Sequence, residues 1–269
     1  HLFPFTHIEL TEKFNSNEDS LIEALMWGTL PKIIELENPE EKAEFLSSYV
    51  QTYVKSEIQE EQWVRKIEPF RRFLPLVAQM NGQPLNYLSL SKDIGVDANT
   101  IKSYYEILED TLMGFHLPGY NRSLRKQQRL SPKFYLFDLG VKRQLERKLK
   151  QPLTQGTTEF GDAFEHFIIL EIYRLNLYYK KEFELSYLRT KDGVEIDLII
   201  DRPGQALVLL EIKSKNKVDE RDIRHLESIG ASIKNVELIL ISNDPHQQKI
   251  KNTNAYPWKE GLSRLFANS

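Results

Sequence analysis

Two apolar runs near the C-terminal end constrain the fold of this chain more than any other feature. Val194-Glu195-Ile196-Asp197-Leu198-Ile199-Ile200 and Ala206-Leu207-Val208-Leu209-Leu210-Glu211-Ile212-Lys213 are rich in aliphatic and β-branched residues. Asp192-Gly193 precedes the first and Arg202-Pro203-Gly204 separates the two. Runs of this length bounded by turn-formers read as two buried strands joined by a short connection. Side chains two apart share a strand face, so Glu195 pairs in direction with Asp197, and Glu211 with Lys213. A hairpin places Asp197 and Glu211 on neighbouring strands, about 5 Å apart.

Charges in such a place need a reason, because a carboxylate withdrawn from water is costly unless a counter-charge or a metal meets it. Carboxylates and one ammonium at the mouth of a sheet suit a magnesium site for phosphodiester hydrolysis. Hard oxygens hold the cation, and the lysine orients or helps deprotonate the attacking water. A solvated Glu-x-Lys pair at a strand end is the plainer alternative. A further carboxylate comes from upstream, where Phe160, Phe164, Phe167, Ile168, Ile172 and Leu175 recur at helical spacing behind Thr157 or Thr158 as N-cap. Glu165 borders that stripe and can face the sheet or the solvent. His166 reads as a surface residue of the same helix, and Glu171 as a surface or packing residue.

The order of these elements resembles the PD-(D/E)XK nuclease superfamily: a helix with Glu165, a strand with Asp197, a strand with Glu211-x-Lys213, then helix and strand. More narrowly, Gly161-x-x-Phe164-Glu165, Tyr187-x-Arg189, Glu195-Ile196-Asp197 and Glu211-Ile212-Lys213 resemble the domain of unknown function at the C-terminal end of many prokaryotic AAA+ ATPases. Gly28-Thr29-Leu30-Pro31 resembles that family's Gly-Gly-Phe-Pro segment, with Thr29 in place of the second glycine. Lys133-x-Tyr135-x-x-Asp138-Leu139-Gly140 resembles its Lys-x-Tyr-x-x-Asp-x-Gly segment. The resemblance implies Mg²⁺ or Mn²⁺ held by Asp197 and Glu211 with Glu165 completing the site, Lys213 as the catalytic lysine, and DNA as the substrate. Glu195 and Tyr187 become accessory residues, and Arg189 a phosphate contact; a core tyrosine and a salt-bridged arginine are the alternatives.

The family's ATPase half carries a phosphate-binding loop, whereas no Gly-x-x-x-x-Gly-Lys-Ser/Thr pattern occurs here. ATP is therefore expected only through an upstream domain, with Phe3 to Leu10 as the tail of that module and the chain as the C-terminal part of a longer protein. A cytoplasmic setting is expected. The chain has no cysteine, which excludes disulfides and cysteine-ligated zinc, and no apolar run approaches the ~20 residues of a membrane span.

Charge is uneven under a net of only −3. Residues 1–70 carry 14 acidic and 6 basic side chains, whereas residues 121–150 carry 10 basic ones against Asp138 and Glu146. Within the basic block, Arg122, Arg125, Lys126 and Arg129 are candidate nucleic-acid contacts. Such binding would weaken steeply with salt; a solvated face, or docking on the acidic N-terminal part, explains the block equally well. Just before it, helices over residues 70–80, Leu88 to Ile94 and Asp97 to Leu112, with Gly95-Val96 as a turn, suggest a helix-turn-helix. Met113 to Gly119 and a strand at Phe134 to Phe137 would make it winged. Asn99, Thr100, Lys102 and Ser103 would then front the third helix, where a reader places its contacts. Packing or dimerisation is the competing use of such a module, so a homo-oligomer is one expected partner state.

The expected architecture is α/β: residues 1–69 as a helical connector, 70–150 as a winged helix-turn-helix and 151–269 as the PD-(D/E)XK mixed sheet flanked by helices. Within the last, strands are expected over Glu182 to Thr190, Val194 to Ile200, Ala206 to Lys213 and Val236 to Ser242, with a helix over Asp219 to Ile229. Three functions stay open: a metal-dependent nuclease, an inactive nuclease fold that binds protein or DNA and keeps its charges as a buried network, or a transcription regulator that binds duplex DNA through the winged helix and Arg122, Arg125 and Arg129. A divalent ion between Asp197 and Glu211 would mark the first, and the Lys213 ammonium in that place the second.

Overall fold

Capping residues and apolar spacing break the first half of the chain into short helices. In a computed structural model, which describes residues 3–14, 19–60, 63–64, 66–121 and 130–267, these are α1 His7–Phe14, α2 Asp19–Trp27, α3 Pro31–Glu35 and α4 Pro39–Thr52. Helix α4 runs on as π-helical turns over Tyr53–Glu60. Next come α5 Ile67–Gln79, α6 Tyr87–Ile94 and α7 Ala98–Asp110. Asn86 caps α6 by accepting the Ser89 amide, Gly95 ends it at φ 79°, and Asp97 caps α7 by accepting the Thr100 amide. Strands β1 Gly114–Leu117 and β2 Lys133–Leu136 form a two-stranded sheet, and α8 Leu139–Leu145 follows.

The chain divides into two units, one of residues 1–116 with 131–153 and the other of 117–130 with 154–269. Among the described residues, a core of the first unit includes Trp27, Leu46, Phe73, Tyr105, Phe134 and Leu145. Its glycine-containing segments meet. The buried Asp138 carboxylate accepts the Val141 amide at 3.0 Å, capping α8, and the Thr29 amide at 2.9 Å. A Cβ on Gly28, whose φ is +77°, would lie 2.1 Å from Asp138 Oδ1, and one on Gly140 would lie 1.9 Å from the Trp27 carbonyl oxygen. Glycine at both positions lets the two backbones touch.

The second unit is a mixed sheet with helices. Helix α9, Thr158–Tyr178, is capped by Thr157. Strands β3 Glu184–Arg189, β4 Glu195–Asp201, β5 Leu207–Lys213, β6 Val236–Ser242, β7 Gln248–Ile250 and β8 Thr253–Pro257 take the order β3-β4-β5-β6-β8-β7. The pairs β3–β4, β4–β5 and β7–β8 are antiparallel, whereas β5–β6 and β6–β8 are parallel. The parallel β5–β6 pair requires a crossover, which contains α10 Arg224–Gly230. Helix α11, Trp258–Ala267, follows β8 and packs on α9. All residues from Val208 to Ile212 are buried, as a central strand demands.

Two expectations need correction. The helix expected from Asp219 begins only at Arg224, because Asp219 and Asp222 satisfy nearby backbone instead: Asp219 accepts the Arg221 amide and Asp222 the Asp219 amide. Aspartates that bond locally favour turns over helix. His166, expected at the surface, is buried at 1% exposure; α9 is buried almost without interruption from His166 to Ile172, so its environment does not follow one stripe. Strands β7 and β8 and helix α11 were not foreseen; three residues, Gln-Lys-Ile, give no alternation to detect.

Candidate active site

The β4–β5 ladder pairs Leu198 with Leu210, Ile199 with Leu209 and Ile200 with Val208. Continued outward, that register sets Asp197 opposite Glu211. Backbone pairing stops there and a side chain replaces it: Asp197 Oδ2 accepts the Ile212 amide at 2.7 Å. The hairpin thus brings together the two carboxylates that the sequence places on adjacent strands. Lys213, two residues beyond Glu211, donates Nζ to Glu211 Oε1 at 2.6 Å. Glu211 is 7% exposed, and its other oxygen, Oε2, has no hydrogen-bond partner among the described residues.

The electrostatics tie a third acid to this pair. Burial raises the Asp197 carboxyl well above its usual range; the negative charges of Glu211 and Glu165 push it further, against the opposing pull of Lys213 and the Ile212 amide. Burial also raises Glu211, with Lys213 opposing and the charges of Glu165 and Glu195 adding. Burial alone would lower Lys213, but Glu211, Asp197 and Glu165 outweigh it, so its ammonium is held more firmly than usual. Glu165 projects from α9, which packs on β5. Glu165, Glu195, Asp197, Glu211 and Lys213 therefore share one field.

Among the described residues, no three acidic, histidine or cysteine side chains are gathered as a ready-made metal cage. What the site offers is a pair of carboxylates, both destabilised as anions, with one buried oxygen that nothing satisfies. A divalent cation relieves both conditions at once, so these residues fit one.

Of the other candidates, Tyr187 and Arg189 lie on β3, the strand next to β4. Tyr187 is buried in β3, and its backbone holds the segment before the basic stretch: its amide donates to the Pro118 carbonyl at 2.9 Å, and its carbonyl accepts the Tyr120 amide at 2.6 Å. Arg189 is exposed at the end of β3 and faces Glu195 across the ladder. Lys102 lies on the exposed side of α7, 3.5 Å from Glu106, with Asn99 and Ser103 exposed nearby. Arg122, Arg125, Lys126 and Arg129 lie outside the described residues.

Sequence reasoning overlooked the residues just past β5. Lys213, Lys215 and Lys217 alternate along the chain, and Asn216 accepts a 2.8 Å hydrogen bond from Asn243, just beyond the end of β6. The alternation was visible in the sequence, whereas the partner across the sheet was not.

Comparison with known proteins gives two matches to family models. A domain of unknown function, DUF8612, covers residues 18–152, and another, DUF4143, covers residues 160–260. Two uncharacterized proteins, from Mycobacterium bovis and Mycobacterium tuberculosis, are each 24% identical over 178 residues, which is 66% of this chain and 40% of either relative. The chain thus spans well under half the length of these curated relatives. No solved structure matches it significantly.

Proposed function

The chain belongs to the family of the domain of unknown function DUF8612, whose model matches residues 18–152; for the second unit, where DUF4143 matches, we propose a PD-(D/E)XK-type phosphodiesterase domain that uses Mg²⁺ or Mn²⁺ and acts on DNA. The observation that carries this reading is the unsatisfied Glu211 Oε2 beside an Asp197 carboxyl whose ionisation is opposed by burial and by two acidic neighbours. The match to DUF4143 encloses Glu165, Asp197, Glu211 and Lys213. Such a domain commonly accompanies an ATPase, so an upstream ATPase module is the proposed partner within the longer protein. The helices α6 and α7 with β1 and β2 fit a winged helix-turn-helix, with Lys102 as its phosphate contact.

Asp197 and Glu211 would hold the cation, and Glu165 would add its charge directly or through water. The cation supplies a more acidic bound water and charge neutralisation at phosphorus. The protein's own groups do the rest. The Ile212 amide fixes the Asp197 carboxylate in one orientation. Lys213, held protonated by three acids, is a donor rather than a base: it orients the attacking water or steadies a phosphate oxygen. Its ammonium, which donates to Glu211 Oε1 at 2.6 Å, would be the group that meets the substrate phosphate.

The 2.6 Å contact between Lys213 and Glu211 also suits a second reading, an inactive fold in which the ammonium takes the cation's place and the unit serves as an interaction module. Titration with Mn²⁺ followed by electron paramagnetic resonance separates the two. The chain should take up one ion, and Glu211→Gln should abolish uptake. Plasmid cleavage with Mg²⁺ should fall by 10²-fold or more in Glu211→Gln and Lys213→Ala, on the order expected for loss of a charge-stabilising group. Equal cleavage in all three proteins would remove the assigned chemistry; no uptake and no cleavage would favour the interaction module.

A further inference from the structure

Beyond Glu211 the chain presents cations at every second position: Lys213, Lys215 and Lys217. Strand β5 ends at Lys213, and the chain bends at Asn216 and Lys217, so Lys215 and Lys217 lie on the segment that leaves the sheet just past the Glu211 carboxylate. Lys215 and Lys217 are both exposed. Lys215 is paired with the Asp222 carboxylate, which is itself largely buried. Among the described residues Lys217 has no anionic partner.

The backbone next to Lys217 is held at Val218, and the Asn216 side chain is tied to the end of β6. Asn216 is hydrogen-bonded to Asn243, and the Val218 amide donates to the buried Asp244 carboxylate at 3.1 Å. Asp244 in turn accepts the His246 amide and the Gln248 side chain. Val218 packs into a core with Ile223, Leu240 and Ala255. An exposed cation with no partner, on backbone anchored this firmly, is placed in advance of any ligand. It stands at the carboxyl ends of β5 and β6, the side of parallel strands where α/β sheets bind their ligands.

We propose that Lys215 and Lys217 form a track for the phosphate backbone of a nucleic acid, leading away from the Asp197–Glu211 carboxylates. This rests on the phosphodiesterase reading and adds to it where the substrate strand runs. Lysines act there as point charges on phosphates and carry no sequence preference. The Asn216–Asn243 pair forms the polar floor of the track.

The test uses the full chain with labelled duplex and single-stranded DNA and RNA across a range of salt. Removing one phosphate contact should lower the slope of log affinity against log salt by about one. Lys217→Ala should show that loss, Lys217→Glu a larger one, and Lys217→Arg should restore the slope. Cleavage should show KM rising more than kcat falls, with Mn²⁺ uptake retained. Comparison of the four nucleic acids identifies which backbone the track receives. Binding by the parent chain with an unaltered slope in Lys217→Ala and Lys217→Glu overturns the track and leaves the phosphodiesterase reading standing. Absence of both nucleic-acid binding and Mn²⁺ uptake in the parent chain overturns both.

Discussion

The folded protein opposes ionisation of the Asp197 carboxyl, by burial first and then by the charges of Glu211 and Glu165. The folded carboxyl lies well above the ordinary 3.8, so folding takes up a proton in the window between that value and the raised one. The sign follows: the Asp197 contribution is most favourable below the ordinary carboxyl value and is lost as pH rises through the raised one. Asp197→Asn keeps an oxygen for the Ile212 amide and removes the charge. In metal-free buffer at neutral pH the variant should be more stable than the parent, and its stability should fall less with rising pH. Calorimetry at several pH values reads the difference; a variant no more stable at neutral pH than the parent would show that the carboxyl is not held back in this way. The same residues show what the sequence disclosed. Asp197, Glu211 and Lys213 stand out because each is a charge within or at the end of an otherwise apolar run. Glu165 is ambiguous and His166 misleading because α9 is buried over consecutive positions, where helical periodicity discriminates poorly.

At the level of elements, caps were the legible part and long-range clasps were not. Asp97 and Thr157 cap α7 and α9 as their positions before apolar stripes imply. Asp138 also caps a helix, but its second partner, the Thr29 amide, lies 109 residues away; no local pattern encodes that. Two caps of unequal burial make a direct comparison. Asp97→Ala removes an exposed cap and should cost about 1 kcal/mol. Asp138→Ala removes a cap and strands the buried Thr29 amide, so the expected cost is about 2–4 kcal/mol. Gly140→Ala drives a methyl group into the Trp27 carbonyl and should be at least as damaging. Urea denaturation of the three variants checks the ranking, and a mild Asp138→Ala would show that the first unit tolerates loss of the clasp. The turn at Asp219 belongs to the same scale: aspartates that cap a helix elsewhere delay one here, because the side chain bonds whichever amide is nearest.

For the whole molecule, the chain divides into two units; among the described residues the first carries a core from Trp27 to Leu149, and the second carries clusters built on the six-stranded sheet. The carboxylates proposed to hold the cation belong to the second unit alone. A ligand stabilises only the cooperative unit whose native state it binds, by an amount that grows with the logarithm of its concentration over Kd. Thermal unfolding should therefore show two transitions, and Mn²⁺ should raise one of them. At a hundredfold excess over Kd the gain is roughly 2.7 kcal/mol, while the other transition stays in place. Two variants identify the transitions. Asp138→Ala should lower the one that Mn²⁺ leaves unmoved, and Asp197→Asn should raise the other in metal-free buffer while abolishing its response to Mn²⁺. Three changes confined to their assigned transitions would tie the cation to the sheet by thermodynamics, independently of any cleavage assay. A Mn²⁺ response that survives Asp197→Asn would instead put the ion elsewhere in the protein.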